Sequence, residues 1–372
     1  MPRPLLLVFS LVATMLHLSP VQSAAVTPDA TIATGEVAGP PVTVAVGNVH
    51  EGAAVLHRFD KRNGADRTAF ARRVLDKRHA VPDIVLVQEV RGTAHTVAAT
   101  LTRHPRAQRG GARYVVAVPP RIATQRGPCG GARTGKYTVL RDSAILVNAT
   151  TVPSVHETGV VRTWGRWAKQ GSARIGNSGY GCAEQPWARV TVEPSGAAPR
   201  TVRVLSAHVA PLNGGLKTTA LRQLAAEVTQ MQVERPSELV VMGSDLNQTR
   251  CRTKDGIETA DCAVRPGHEA LHDAGLFDAV RERNLSGPNG VVGLQRRIDF
   301  VHTNGPVIAS GFDRCYLAFW VKKYRCGTRA VFPAKKRFFQ CQKKSLTGRG
   351  ACPRAEYRRY YSDHPVMHAT LG

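Results

Sequence analysis

The sequence predicts an α/β chain of the α+β type: a mixed-sheet sandwich flanked by helices. Three observations carry that prediction. Short runs rich in β-branched residues outnumber the helical stretches. Several neighbouring runs are spaced as hairpins rather than as β-α-β crossovers. Several runs also end in amide, carboxylate or imidazole side chains, as strands do when their tips carry a site.

In chain order, Val42 to Val49 reads as a first strand that closes on Gly47-Asn48. Arg67 to His79 places Phe70, Val74 and Leu75 at helical spacing and stops before Val81-Pro82. Asp83-Ile84-Val85-Leu86-Val87-Gln88-Glu89-Val90-Arg91 is a buried-strand pattern that halts at an amide, a carboxylate and a guanidinium. Burying that charge unpaired is costly, so such a strand delivers it to solvent or to a site. Thr93 to Arg103 predicts a second helix, Tyr114 to Val118 a short strand, and Arg121 to Lys136 a basic, Gly-rich loop. Asp142 to Val147 is another strand, and Arg162 to Cys182 a long loop carrying Trp164 and Trp167. Ala188 to Val192 and Val202 to Val209 read as a hairpin joined near Pro194-Ser195-Gly196. Leu216 to Val233 is the strongest helix, with Leu221, Leu224, Val228 and Met231 on one face. Glu238 to Met242 predicts a strand, His268 to Val280 a helix, Ile298 to Thr303 a strand and Pro365 to Thr370 the last strand.

The 372 residues suffice for one large α/β domain or two modest ones, and a hydrophobic content of 42% excludes wholesale disorder. Residues 1–25 have the pattern of a secretory signal peptide: Arg3, an apolar Leu5 to Leu18, and small residues at Val21-Gln22-Ser23-Ala24-Ala25. Residues 26–41 read as a flexible leader and 42–372 as one domain. No second apolar stretch is long enough to cross a bilayer, so a secreted monomer without stable membrane insertion is expected. Export also suits the 8 cysteines, which without any CxxC favour disulfides over zinc thiolates. Cys251–Cys262 is a reasonable local pair.

Lys and Arg total 51 against 27 acids, a formal charge of +24, and that excess points to a polyanion, either nucleic acid or an anionic membrane surface. The excess is densest in an insertion at about 312–359, where Lys335, Lys336 and Arg337 sit among aromatics and four cysteines. That mixture describes a solvated surface or a lobe that contacts phosphates and stacks bases, with these three cations as substrate-binding residues.

The polar strand ends form an ordered set: Asn48, Gln88-Glu89, His208, Gly243-Ser244-Asp245-Leu246-Asn247, Ile298-Asp299-Phe300 and Ser362-Asp363-His364-Pro365. Oxygen ligands without thiolates suit a hard cation, and two histidines that can pair with carboxylates suit general acid–base work on a phosphodiester. This order resembles the endonuclease/exonuclease/phosphatase superfamily, and the run ending in Glu89-Val90-Arg91 is most similar to its deoxyribonuclease I-like branch. The resemblance implies a four-layer α-β-β-α sandwich of two mixed sheets with the site at one rim. It implies Mg²⁺, with Ca²⁺ or Mn²⁺ as alternatives, held by Glu89 with Asn48 nearby, and Asp363 either in the metal shell or steadying His364. It implies Asp245 and Asn247 on the phosphate and the attacking water, with a share in binding a second metal, His364 as base oriented by Asp299, and His208 as acid partnered by Asp142. Arg91 joins the substrate-binding residues on the same ground. The sequence departs from the branch at Ser244, which separates Gly243 from Asp245, at Glu184 in place of an arginine, and at Leu140 in place of a tyrosine. These departures leave the chemistry alone and put duplex-groove recognition in question. The expected function is a secreted metal-dependent nuclease, with a sphingomyelinase-like phospholipid phosphodiesterase or a non-catalytic nucleic-acid-binding or adhesion protein as alternatives.

Overall fold

A computed structural model of the chain describes residues 39–49, 65–90, 92–126, 136–165, 181–194, 196–209, 214–252, 262–285, 297–312, 315–318, 323–326, 330–333 and 366–372. All lie in the unit Val37–Gly372. The expected signal peptide and nearly all of the leader fall outside the described residues.

The first sheet has six strands. They are β1 (Val42–Asn48), β2 (Ile84–Gln88), β3 (Tyr114–Val118), β6 (Ala144–Asn148), β13 (Val307–Phe312) and β17 (Met367–Leu371), in the order β13-β17-β1-β2-β6-β3. The second has eight. β11 (Phe277–Asp278), β12 (Asp299–Thr303), β10 (Leu239–Asp245), β9 (Arg200–His208), β8 (Gly181–Val192), β5 (Lys136–Arg141) and β4 (Arg121–Arg126) follow one another, and β7 (Ser154–Gly165) pairs with β8. Both sheets are mixed: β1 and β2 are parallel, as are β9 and β10, while their other neighbours run antiparallel.

Strand alternation explains the layers, because successive side chains point to opposite faces. Val44, Val46, Ile84 and Leu86 of one sheet meet Val202, Val204 and Val241 of the other in a shared core between the sheets. The opposite face of the first sheet, with Ala45, Val85 and Val87, is covered by α1 (Ala65–Val74) and α2 (Ala94–Thr102) through Phe70, Val74, Val97 and Leu101. The outer face of the second is covered by α4 (Gly214–Glu234) and α5 (Pro266–Asp273), where Leu221, Leu224, Val228 and Leu271 pack on Leu205, Met242 and Phe300. The result is the expected α-β-β-α sandwich. Two shorter helices complete it, α3 (Pro105–Arg109) and α6 (Ala279–Leu285).

Several expected elements are corrected. Half of the expected Arg121–Lys136 loop is strand: β4 pairs with β5 along Arg121↔Arg141 to Arg126↔Lys136. β7 and β8 likewise consume both ends of the expected Arg162–Cys182 loop. The expected His268–Val280 helix breaks at Gly275, whose φ of +74° ends α5 and lets Phe277–Asp278 pair with β12. The basic insertion opens as a separate three-stranded sheet, β14 (Cys315–Ala318), β15 (Lys323–Cys326) and β16 (Ala330–Pro333), with Cys315 opposite Cys326. Lys335, Lys336, Arg337, Cys341 and Cys352 lie outside the described residues. The local pair Cys251–Cys262 is a disulfide with Cα atoms 5.6 Å apart.

Candidate active site

The inward rows of the parallel strands share one design. Each is apolar along its length and polar at its C-terminal end: Val44-Val46-Asn48 on β1, Ile84-Leu86-Gln88 on β2, Val202-Val204-Ser206-His208 on β9 and Val241-Gly243-Asp245 on β10. Because the two sheets stack with these ends together, the polar tips meet between them. Buried polar groups need partners, and these find them across the gap. Asn48 Nδ2 donates to Asp245 Oδ2 at 2.9 Å and to Glu89 Oε1 at 3.0 Å. Gln88 Nε2 donates to Ser206 Oγ at 3.1 Å, whose hydroxyl in turn donates to Val87 O at 3.2 Å.

His208 is buried at the centre. Its Nδ1 lies 2.9 Å from Asp142 Oδ2, and its Nε2 lies 3.8 Å from Glu89 Oε1 and 3.7 Å from Asp245 Oδ2. Burial would push the imidazole down; the charge and hydrogen bond of Asp142, followed by Asp245 and Glu89, overcome it and push it up to about 10. Two of those carboxylates are the groups that would hold a cation, which would cancel part of their pull.

The backbone of His208 is clamped as well. The β8–β9 ladder ends at Trp187↔Leu205, just beyond Pro186, and the side chain of Gln185 replaces it. Its Oε1 accepts from His208 N at 2.7 Å and its Nε2 donates to His208 O at 3.0 Å.

Among the described residues, Glu89 and Asn247 are the non-glycine residues with positive φ, at 55° and 48°. Strain of this kind costs of order 1–3 kcal/mol and persists where surrounding bonds hold it. At Asn247 those bonds are on view: its N–H donates to Asp245 Oδ1 at 2.9 Å, its Nδ2 donates to Val209 O at 3.0 Å, and Lys217 Nζ donates to its carbonyl. Nδ2 also lies 3.3 Å from His208 Nε2.

Ligand atoms of Glu89, His208 and Asp245 all fall within 4.8 Å of one another. The carboxylates of this set are hard donors and fit Mg²⁺, Mn²⁺ or Ca²⁺. Glu89 and Asp245 would hold the cation. Asp245 is thereby placed for metal as well as for phosphate and water, the roles that the resemblance implies for it.

Of the expected site residues, the structure brings together Asn48, Glu89, Asp142, His208, Asp245 and Asn247. Asp299 is buried on β12 directly opposite Asp245 in register. Arg91, Asp363 and His364 lie outside the described residues. Gln185, Ser206 and Lys217 were missed by sequence reasoning. Lys217 sits in the first turns of α4, half-buried, and burial pushes its amine down while Asp245 pulls it up.

No family model matches the chain, and no curated protein matches its sequence. Solved structures do show likeness. An endonuclease/exonuclease/phosphatase family protein from Bacteroides thetaiotaomicron shares 14% identity over 90% of this chain and 98% of that one, with a TM-score of 0.44. The human Nocturnin catalytic domain with bound sulfate shares 13% identity over 90% and 94%, with a TM-score of 0.44. Truncated Caenorhabditis elegans TDP2 shares 18% identity over 89% and 97%, with a TM-score of 0.40.

Proposed function

We propose that the chain is an exported phosphodiesterase, dependent on a divalent cation, that cleaves polynucleotides. One observation carries the reading: Glu89, Asp245, Asn48 and Asn247 converge with the His208–Asp142 pair at a single edge between the sheets. A phosphodiester gains charge on its oxygens in the transition state, and fixed donors placed there stabilise it selectively. A bound divalent cation supplies Lewis-acid polarisation of a phosphoryl oxygen.

The chain's own groups do the rest. Asp142 fixes the His208 tautomer through Nδ1, so Nε2 is the edge that gives a proton to the departing oxygen. Gln185 keeps the ring from sliding along the strand by holding both main-chain groups of His208. Asn247 presents its amide beside Nε2, where a non-bridging oxygen would sit. The water's proton goes to His364, assigned with Asp299 by motif resemblance. The polynucleotide is preferred because of the formal charge of +24, and export rests on the pattern of residues 1–25.

The test uses purified protein lacking residues 1–25 on supercoiled plasmid, single-stranded DNA and RNA, with Mg²⁺, Ca²⁺ or chelator. Cleavage is expected with an added cation and none in chelator, and Glu89→Ala should lower turnover by about 10²-fold or more. Wild-type turnover of Glu89→Ala in limiting Mg²⁺ would sink the metal assignment. Release of phosphocholine from vesicles with no polynucleotide cleavage would move the substrate to lipids.

A further inference from the structure

A second basic region lies away from the strand tips. α1 and α2 each follow a strand of the first sheet, β1 and β2, and each runs back from the site edge toward the opposite end of the sandwich. Between them is a cleft of about 510 Å³. Arg67 and Arg72 of α1 face Arg103 and His104 at the end of α2, with Ala71 as floor, and among the described residues no carboxylate lines it.

The cations are close enough to act on one another. The imidazole of His104 is held below its ordinary range, first by burial and then by the charges of Arg72, Arg109 and Arg106. Like charges gathered in one concave surface oppose folding unless an anion shares the space. Arg106 is not available for that purpose, since its guanidinium caps the end of α1 by donating to the carbonyls of Leu75, Asp76 and His79. Arg72 and Arg103 carry no such bond to the backbone among the described residues and line the cleft. Thr96 marks its upper end, in the first turn of α2, a few residues after Glu89 in the chain. The track therefore begins on the side of the sandwich where the carboxylates lie.

We infer that the α1–α2 cleft is a phosphate-binding exosite that holds the backbone of a single polynucleotide strand. The inference rests on the reading above for the identity of the polyanion. Guanidinium forks match phosphate oxygens geometrically, and those of Arg72 and Arg103, carried by the two helices, suit successive phosphates of a chain better than one isolated anion.

The experiment measures anisotropy of a labelled single-stranded oligothymidylate in chelator, where no cleavage occurs, and hydrolysis of bis(p-nitrophenyl) phosphate with Mg²⁺. The triple variant Arg67→Gln, Arg72→Gln, Arg103→Gln should bind the oligonucleotide about 10-fold more weakly at moderate salt, and the slope of log Kd against log salt should fall by about 2. Its turnover of the small diester should match wild type. Arg103→Glu alone, a single reversal at a helix end, should weaken binding in the same direction and guards against misfolding of the triple variant. Unchanged oligonucleotide binding in both variants overturns the exosite. So does an equal loss on the small diester, which would make the cleft a support of the fold, and so does a loss confined to phosphatidylserine vesicles, which would make it a membrane surface. Failure of the wild type to hydrolyse the small diester would count against the phosphodiesterase reading and leave the binding result standing.

Discussion

His208 and His302 are both buried imidazoles in the second sheet, and their surroundings drive them to opposite states. His208 faces the gap between the sheets, and its neighbours raise it to about 10. His302 faces the helical layer, stacked on Phe300 with centroids 5.3 Å apart, and burial lowers it to about 4. A carboxylate lies opposite each: Asp142 on His208, and Asp278 across the ladder from His302. The difference is the guanidinium. Arg297 donates to both oxygens of Asp278, and its charge, with that of Arg250, opposes the upward pull of Asp278 on His302. His268, 6.3 Å from His302 between ring centroids, is lowered further, to about 3, chiefly by burial. Burial alone makes a histidine neutral packing; burial beside an unopposed carboxylate makes it an acid.

The largest effect should come from the charged member of the pair. His208→Ala should lower turnover by about 10²-fold or more with little change in substrate binding, and Asp142→Asn should lower it by a smaller factor, of order 10-fold. Steady-state kinetics on the small diester would show this, and wild-type turnover in His208→Ala would reduce the contrast to one of packing.

The neutral member should report through stability. His302 has a folded value near 4 against about 6.5 unfolded, so below pH 6.5 the unfolded chain binds more protons. Its contribution is thus present above about pH 6.5 and is lost as pH falls toward 4, by up to about 3 kcal/mol. Urea midpoints at pH 7 and pH 4.5 should drop more for wild type than for His302→Phe. Equal drops would show that other groups carry the acid sensitivity.

The smallest effect concerns Lys217, whose bond to the Asn247 carbonyl helps hold that residue at positive φ. Lys217→Met should lower turnover by roughly 3- to 10-fold at unchanged KM, the scale of one charged hydrogen bond, and Lys217→Arg should recover part of it. A changed KM with constant turnover would instead place the lysine on the substrate.

The inner strands and the polar tips were legible in the sequence because burial on both faces forces long apolar, β-branched runs, and a charge ending such a run stands out. β4 and β7 were not. Residues 155–158 of β7 are exposed, and its charged or polar positions His156, Glu157 and Arg162 look like loop in one dimension. Gln185 was hidden for another reason. Its role is to replace main-chain pairing next to Pro186, which no side-chain pattern announces. Lys217 sits on a helix recognised by its apolar stripe, where one lysine among many carries no signal.

Gly243 has a consequence for how the site is gauged. It lies on the inner face two residues before Asp245, and a methyl group there would come within 2.4 Å of Val46 Cγ2 and 2.6 Å of Leu86 Cδ1. The two sheets touch at that point, one strand period below the carboxylate. Ser244, turned to the other face, restores the parity that brings Asp245 back inward. The aperture between Asp245 on one sheet and Asn48 and Glu89 on the other is therefore set by a residue with no side chain. Any bulk added at 243 would act as a shim, and the opening would widen before a single ligand was altered.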